Sequence, residues 1–127
     1  MLYDFQNLVD NTITRNRNLL DILTKSQDSN ARVNRMVAKV ITHCGCIHPE
    51  SHKQPSSPGN PYLLYGCCFD EQLSGCLCDR CRSRIEQSLG DHLFYLAALC
   101  NALGLTLSGA LQKEQDQLTT LGRFHLK

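Results

Sequence analysis

The 127-residue chain is long enough for one domain and too short for two independent cores. Its net charge of +1, from 13 Lys and Arg against 12 Asp and Glu, gives no field that would argue for nonspecific nucleic-acid or membrane binding. With 42% apolar and 20% charged residues a wholly disordered chain is excluded, and 6% aromatics without Trp supplies no base-stacking surface.

The longest purely apolar run, Phe94 to Cys100, is too short to cross a bilayer. The first residues, MLYDFQNLVDNT, have neither a basic n-region nor an apolar h-region, so a cytoplasmic, reducing compartment is expected. Cysteine is the outlier in the composition. Eight Cys with five His in a reducing compartment point to a metal site before a disulfide framework, whereas a processed secreted domain would reverse that inference.

In chain order, Leu2, Phe5, Leu8, Val9, Ile13, Leu19, Leu20 and Leu23 follow a 3.6-residue period and predict a first helix from Leu2 to about Lys25. The polar run Ser26 to Asn30 predicts a break there. A second helix is predicted from Ala31 to His43. Val33, Met36, Val37, Val40, Ile41 and Cys44 form its apolar stripe, Arg32, Arg35 and Lys39 lie on another face, and Gly45 ends it. The stretch from about 45 to 78 holds Lys53 to Pro61 with three prolines and reads as a long loop, tied down or mobile.

A third helix is predicted from about Asp79 to Gly104, apolar almost all round and therefore central. Thr106 or Ser108 caps a fourth to about Leu121, with Leu107, Leu111, Leu118 and Leu121 inward. No segment alternates like a strand. The predicted fold is all-α, a single four-helix domain over residues 1–127. A third helix with so much apolar surface leaves a face uncovered in a protomer this small, which predicts a homodimer or a dimer of dimers through helices 1 and 3.

Cysteine and histidine gather at both ends of the loop. One end reads His43-Cys44-Gly45-Cys46-Ile47-His48, the other Cys76-Leu77-Cys78-Asp79-Arg80-Cys81, with Cys67-Cys68 between. Zinc takes four soft ligands in a tetrahedron, and two short-spaced pairs brought together by the chain supply such a set. The predicted tetrad is Cys44, Cys46, Cys78 and Cys81, with His48, Cys67, Cys68 and Cys76 in reserve. Reduced thiols without metal and an iron–sulfur cluster are the alternatives. Cys44 also falls on the apolar stripe, so a buried core thiol is its plainer reading. Cys78-Asp79-Arg80-Cys81 at a helix start is in addition a redox-type C-x-x-C, here without the βαβ context of a thioredoxin fold.

The run from Ile85 to Leu105 resembles the MazG-type all-α nucleoside triphosphate pyrophosphohydrolases. Leu89-Gly90-Asp91, Leu93-Phe94-Tyr95-Leu96, Asn101, Gly104-Leu105 and Lys113 fit that family's pattern. The resemblance implies a four-helix protomer, oligomerisation and descent from an Mg²⁺-dependent enzyme that cleaves an NTP to the monophosphate and pyrophosphate. It also implies Asp91 as a catalytic metal ligand, with Asn101 and Lys113 as ligand-binding residues.

The chain departs from the family at the Mg²⁺ site, which needs several carboxylates. Ser88 stands where the partner Glu belongs. Glu86 lies about 140° round the helix from Asp91 and cannot replace it. The predicted second helix carries no acid, and offers Arg32, Arg35 and Lys39 instead. The functional expectation is therefore a MazG-like binding or regulatory module with structural zinc, its basic residues holding a nucleotide or another anion. An active pyrophosphohydrolase using Mg²⁺ and a thiol or metal sensor are the alternatives.

Overall fold

The computed structural model describes residues 1–14, 17–49 and 73–122. The elements run α1 (Leu2–Thr12), α2 (Leu19–Lys39), a π-helical turn (Val40–Cys44), β1 (Ile47–Pro49), β2 (Leu73–Gly75), α3 (Asp79–Leu103) and α4 (Leu107–Leu121). The fold is all-α: the described residues hold four helices, and two short strands among them form one antiparallel ladder. The central part of the predicted loop, including Cys67 and Cys68, lies outside the described residues.

The first helical break differs from the sequence expectation. The chain leaves helix at Ile13, whose ψ of 114° is extended, and re-enters at Leu19. The run Thr12-Ile13-Thr14 is β-branched and weak in helix. Asn18 then caps α2: its Oδ1 accepts from the Asp21 N–H at 2.9 Å, and its Nδ2 donates to Asp21 Oδ2 at 2.6 Å. The predicted break at Ser26 to Asn30 is instead the middle of α2. Ser29 is buried there, and its hydroxyl donates to the Ser26 carbonyl at 2.8 Å while meeting His92 Nδ1 at 2.8 Å. Both contacts at once require His92 to carry its proton on Nδ1. A residue that favours turns is thus held in the helix because its hydroxyl bonds back onto it.

The described chain forms two units, Met1–Ala31 with Leu89–Lys127, and Arg32–Ser88. In the first, Val9, Ile13, Ile22, Ala97 and Ala98 form the buried core, flanked by half-buried Phe5, Phe94, Leu99 and Leu107. α3 buries its small-residue face, Ala97 and Ala98, because small side chains let neighbouring helices approach. Its leucines Leu89, Leu93 and Leu103 are exposed. On α4, Leu111, Leu118 and Leu121 are exposed too, against the expectation that they point inward; only Leu107 is half-buried.

One polar residue pins this unit together. Gln6 is 6% exposed. Its Nε2 donates to Asn101 Oδ1 at 2.9 Å and to the Leu105 carbonyl at 2.8 Å, and its Oε1 accepts from the Leu107 N–H at 2.9 Å. Asn101 Nδ2 returns a bond to the Gln6 carbonyl at 3.1 Å. α1 is thereby fastened to the end of α3, the turn after it and the first residue of α4. Of the two predicted caps, Thr106 and Ser108, it is the Thr106 hydroxyl that caps α4, accepting from the Gly109 N–H at 3.0 Å.

The second unit is built on Val40, Ile47 and Cys81, with Ile41, Cys46, Leu77, Cys78 and Ile85 packed against them. The ladder pairs Ile47 with Gly75, His48 with Ser74 and Pro49 with Leu73, closing the root of the long loop.

Replacing Gln6 by Leu strands the Leu105 carbonyl and the Leu107 N–H without their partner. Such a loss costs about 1–3 kcal/mol. Urea unfolding of Gln6→Leu is expected to show stability lower by that amount, as a lower midpoint with an unchanged slope.

Candidate metal centre

Three local features bring the thiols together. The end of α2 widens into the π turn, closed by the Gly45 N–H donating to the Val40 carbonyl at 2.8 Å. Gly45 has φ 72°, a left-handed conformation that side-chain-bearing residues rarely adopt, and it reverses the chain between Cys44 and Cys46. The ladder then sets Ile47 opposite Gly75. Gly75 has φ 87°, and an added Cβ would collide with the Cys46 carbonyl, so only glycine lets β2 approach this closely. Three residues beyond Gly75, Cys78 sits immediately before α3, its carbonyl accepting the Arg82 N–H at 2.9 Å, and Cys81 follows in the first turn.

The Sγ atoms of Cys44, Cys46, Cys78 and Cys81 all lie within 4.8 Å of one another. Cys44 and Cys78 are 3.9 Å apart at sulfur. A tetrahedral ion with metal–sulfur bonds of about 2.3 Å requires sulfurs about 3.8 Å apart. The four thiols therefore have the spacing of a tetrathiolate metal site, and soft sulfur ligands suit zinc, copper(I) or iron far better than Mg²⁺. Cys81 is buried, Cys46 and Cys78 are half-buried, and Cys44 is exposed. Cys44 is thus not the core thiol that its place on the apolar stripe would suggest: it is exposed and its sulfur belongs to the cluster.

The thiols are electrostatically unequal. The Cys81 N–H points at Cys78 sulfur, and with the Cys81 thiol it holds the Cys78 pKa down to about 7. Cys78 acts as a sulfur N-cap of α3, where an anion also meets the positive end of the helix dipole. Cys81 is pushed up to about 12, first because its thiol donates to Cys78 and then by burial.

The other candidates fall elsewhere. Cys76 and His48 are exposed and outside the cluster. Cys100 is half-buried in the first unit, where burial raises its pKa. Asp91 is exposed in the first unit, and the Ser88 hydroxyl donates to its own helix at the Arg84 carbonyl, 3.0 Å away. Asn101 spends its amide on Gln6, and Lys113 is exposed on α4. Arg32, Arg35 and Lys39 are exposed on α2 in the second unit. Among the described residues no second group of three or more His, Cys, Asp or Glu comes close enough to hold a metal. Sequence inspection passed over Gln6, whose only signal was a polar residue between apolar positions of α1.

The fold and site together define an all-α four-helix protein with a four-thiol centre that can hold a metal ion. Comparison with protein-family models, with curated proteins and with solved structures gives no match. No single helix among the described residues is long and apolar enough to cross a membrane.

Without metal, the thiols make stability depend on pH. The folded state loses the Cys78 proton near pH 7, the unfolded state only near 9, so the unfolded chain holds more protons between those values. Stability of the metal-free protein is expected to rise with pH from about 7 to 9. Above 9 the raised Cys81 pKa reverses the sign, because the folded state now keeps the extra proton. Urea midpoints of chelator-treated protein at pH 6.5, 8.5 and 10.5 are expected to be highest at the middle value.

Proposed function

We propose that the protein is a MazG-like binding or regulatory module rather than a working pyrophosphohydrolase, with structural zinc on Cys44, Cys46, Cys78 and Cys81. The carrying observation is the convergence of four sulfurs to within 4.8 Å from two separate chain segments. Zinc is the reading because it has no geometric demand beyond the tetrahedron that four thiolates offer, and because a closed four-thiolate set leaves no position open for catalysis. The ion would join the end of the π turn to the start of α3. The MazG-like assignment rests on the motif from Leu89 to Leu105 and on the all-α four-helix architecture.

The case against catalysis is chemical. Pyrophosphate release from an NTP needs a divalent ion gripped by several carboxylates. Asp91 is exposed, Ser88 replaces its partner, and α2 beyond Asp28 carries no acid. The depressed Cys78 pKa favours a thiol or metal sensor as the second reading, since a thiolate near neutral pH is reactive whenever the metal is absent.

Assembly as a cytoplasmic homodimer or dimer of dimers completes the proposal. Its support is the leucine surface of the first unit. On α3 the series Leu89, Leu93, Leu96, Cys100 and Leu103 alternates steps of four and three, the seam of a helix pair, and Leu89, Leu93 and Leu103 are exposed.

Native mass spectrometry tests metal and assembly in one measurement. The expected mass is an even multimer with about one zinc per chain; a bare monomer with all thiols titratable refutes both parts. A pyrophosphate-release assay over common and damaged NTPs with Mg²⁺ or Mn²⁺ tests the catalytic half. The expected rate lies well below about 1 s⁻¹, the lower end of ordinary enzymes. Faster turnover abolished by Asp91→Ala would restore the enzyme reading.

A further inference from the structure

The second unit contains a cavity of about 200 Å³ against the thiol centre, below the ~300–1,000 Å³ of sites for drug-sized ligands. One wall comes from the end of α2 and the π turn. Met36, Lys39, Val40 and His43 stand at helical spacing on one face, and the opposite wall brings Arg84 from α3. Cys44 and Cys81 line the cavity as well, so it shares a wall with the centre.

Its chemistry is divided. Met36 and Val40 supply apolar surface, and Val40 is buried. Lys39 and Arg84 supply two fixed positive charges, and neither has a carboxylate partner among the described residues. The Thr42 hydroxyl donates to the Ala38 carbonyl at 2.9 Å, so it accepts from His43 Nδ1, 3.0 Å away, and Nε2 of the neutral ring is an acceptor. π turns are rare and concentrate at functional sites, and this one carries Val40, His43 and Cys44 into the same cavity.

The charge of the cavity lining decides which ligand suits it: the lining carries Lys39 and Arg84 and no carboxylate. Two cations at the edge of a small apolar cavity match a dianionic head on a short apolar body. Arg contributes the planar fork that recognises oxyanions, and Lys a mobile point charge.

We propose that this cavity binds a small organic phosphate monoester, its phosphate held by Lys39 and Arg84 and its apolar part against Met36 and Val40. The proposal deepens the binding-module reading above and rests on it for the anionic ligand. It places the ligand beside the thiol centre rather than at Asp91, and it needs no catalysis.

The test is isothermal titration calorimetry on the full-length protein as purified, at low ionic strength, with zinc content read in the same samples. The probes are phenyl phosphate and, separately, inorganic phosphate. Saturable binding of phenyl phosphate at one site per chain is expected, tighter than that of inorganic phosphate because only the ester reaches the apolar wall. The double variant Lys39→Gln, Arg84→Gln is expected to weaken binding about tenfold or more. Both side chains are exposed, so its melting temperature and zinc content stay as in the parent. Arg82→Gln, one turn from the centre but outside the cavity lining, controls for general charge and leaves the affinity unchanged.

Absence of saturable binding, or an equal loss in Arg82→Gln, overturns the site. Inorganic phosphate binding as tightly as the ester overturns the apolar half of the proposal. Binding that persists in samples without zinc upholds the site while refuting the metal reading, so the two fail separately.

Discussion

Four sulfurs from two distant chain segments meet within 4.8 Å, and the constraint they impose organises the second unit. Cys44 and Cys78 are 34 positions apart, and joining the ends of an unfolded chain that long costs about 3 kcal/mol from the length-dependent part of loop-closure entropy alone. A three-pair ladder with one strand against the other recovers little of this, because an isolated pair of strands is marginal in water. Packing of Val40, Ile47 and Cys81 adds a small core. Four sulfurs at tetrahedral spacing offer the remaining contribution, since binding energies of structural zinc sites, of order 10 kcal/mol, exceed the closure cost several-fold.

The two units solve stability by different chemistry. In the first, helices carry the apolar content, yet the packed core is made of Val, Ile and Ala, and the leucines stand outside it. Gln6 supplies what leucine packing does not, a directional link among three chain segments, and it stays in the core because each of its donors and acceptors is used. In the second, four thiols gather from two chain segments, and the π turn serves both the thiol centre and the adjoining cavity.

Much of this was legible in the residues. The limits of α3 and α4 followed from Gly104, Thr106 and an uninterrupted apolar pattern, because caps and glycines act locally. The tetrad Cys44, Cys46, Cys78 and Cys81 followed from short spacings at both roots of the loop. The break between α1 and α2 did not, because Ser26 to Asn30 carries more turn propensity than Thr12 to Asn18. A buried hydroxyl pairing between Ser29 and His92, 63 positions apart, overrides that propensity. The ladder was also invisible, since three-residue strands are too short to display alternation.

By itself the sequence determined that the protein is helical, that four helices cover most of its described residues, and that two short-spaced Cys clusters lie far apart in the chain. These are consequences of periodicity, capping and spacing, which act over a few residues. The tertiary structure alone decided which apolar face each helix buries, that Gln6 joins α1 to α3 and α4, and that Cys76 and His48 stay outside the thiol cluster. Those outcomes depend on which distant segments meet: Ala97 and Ala98 admit a neighbour where bulky leucines do not, and Gly75 admits the Cys46 carbonyl where any side chain would exclude it.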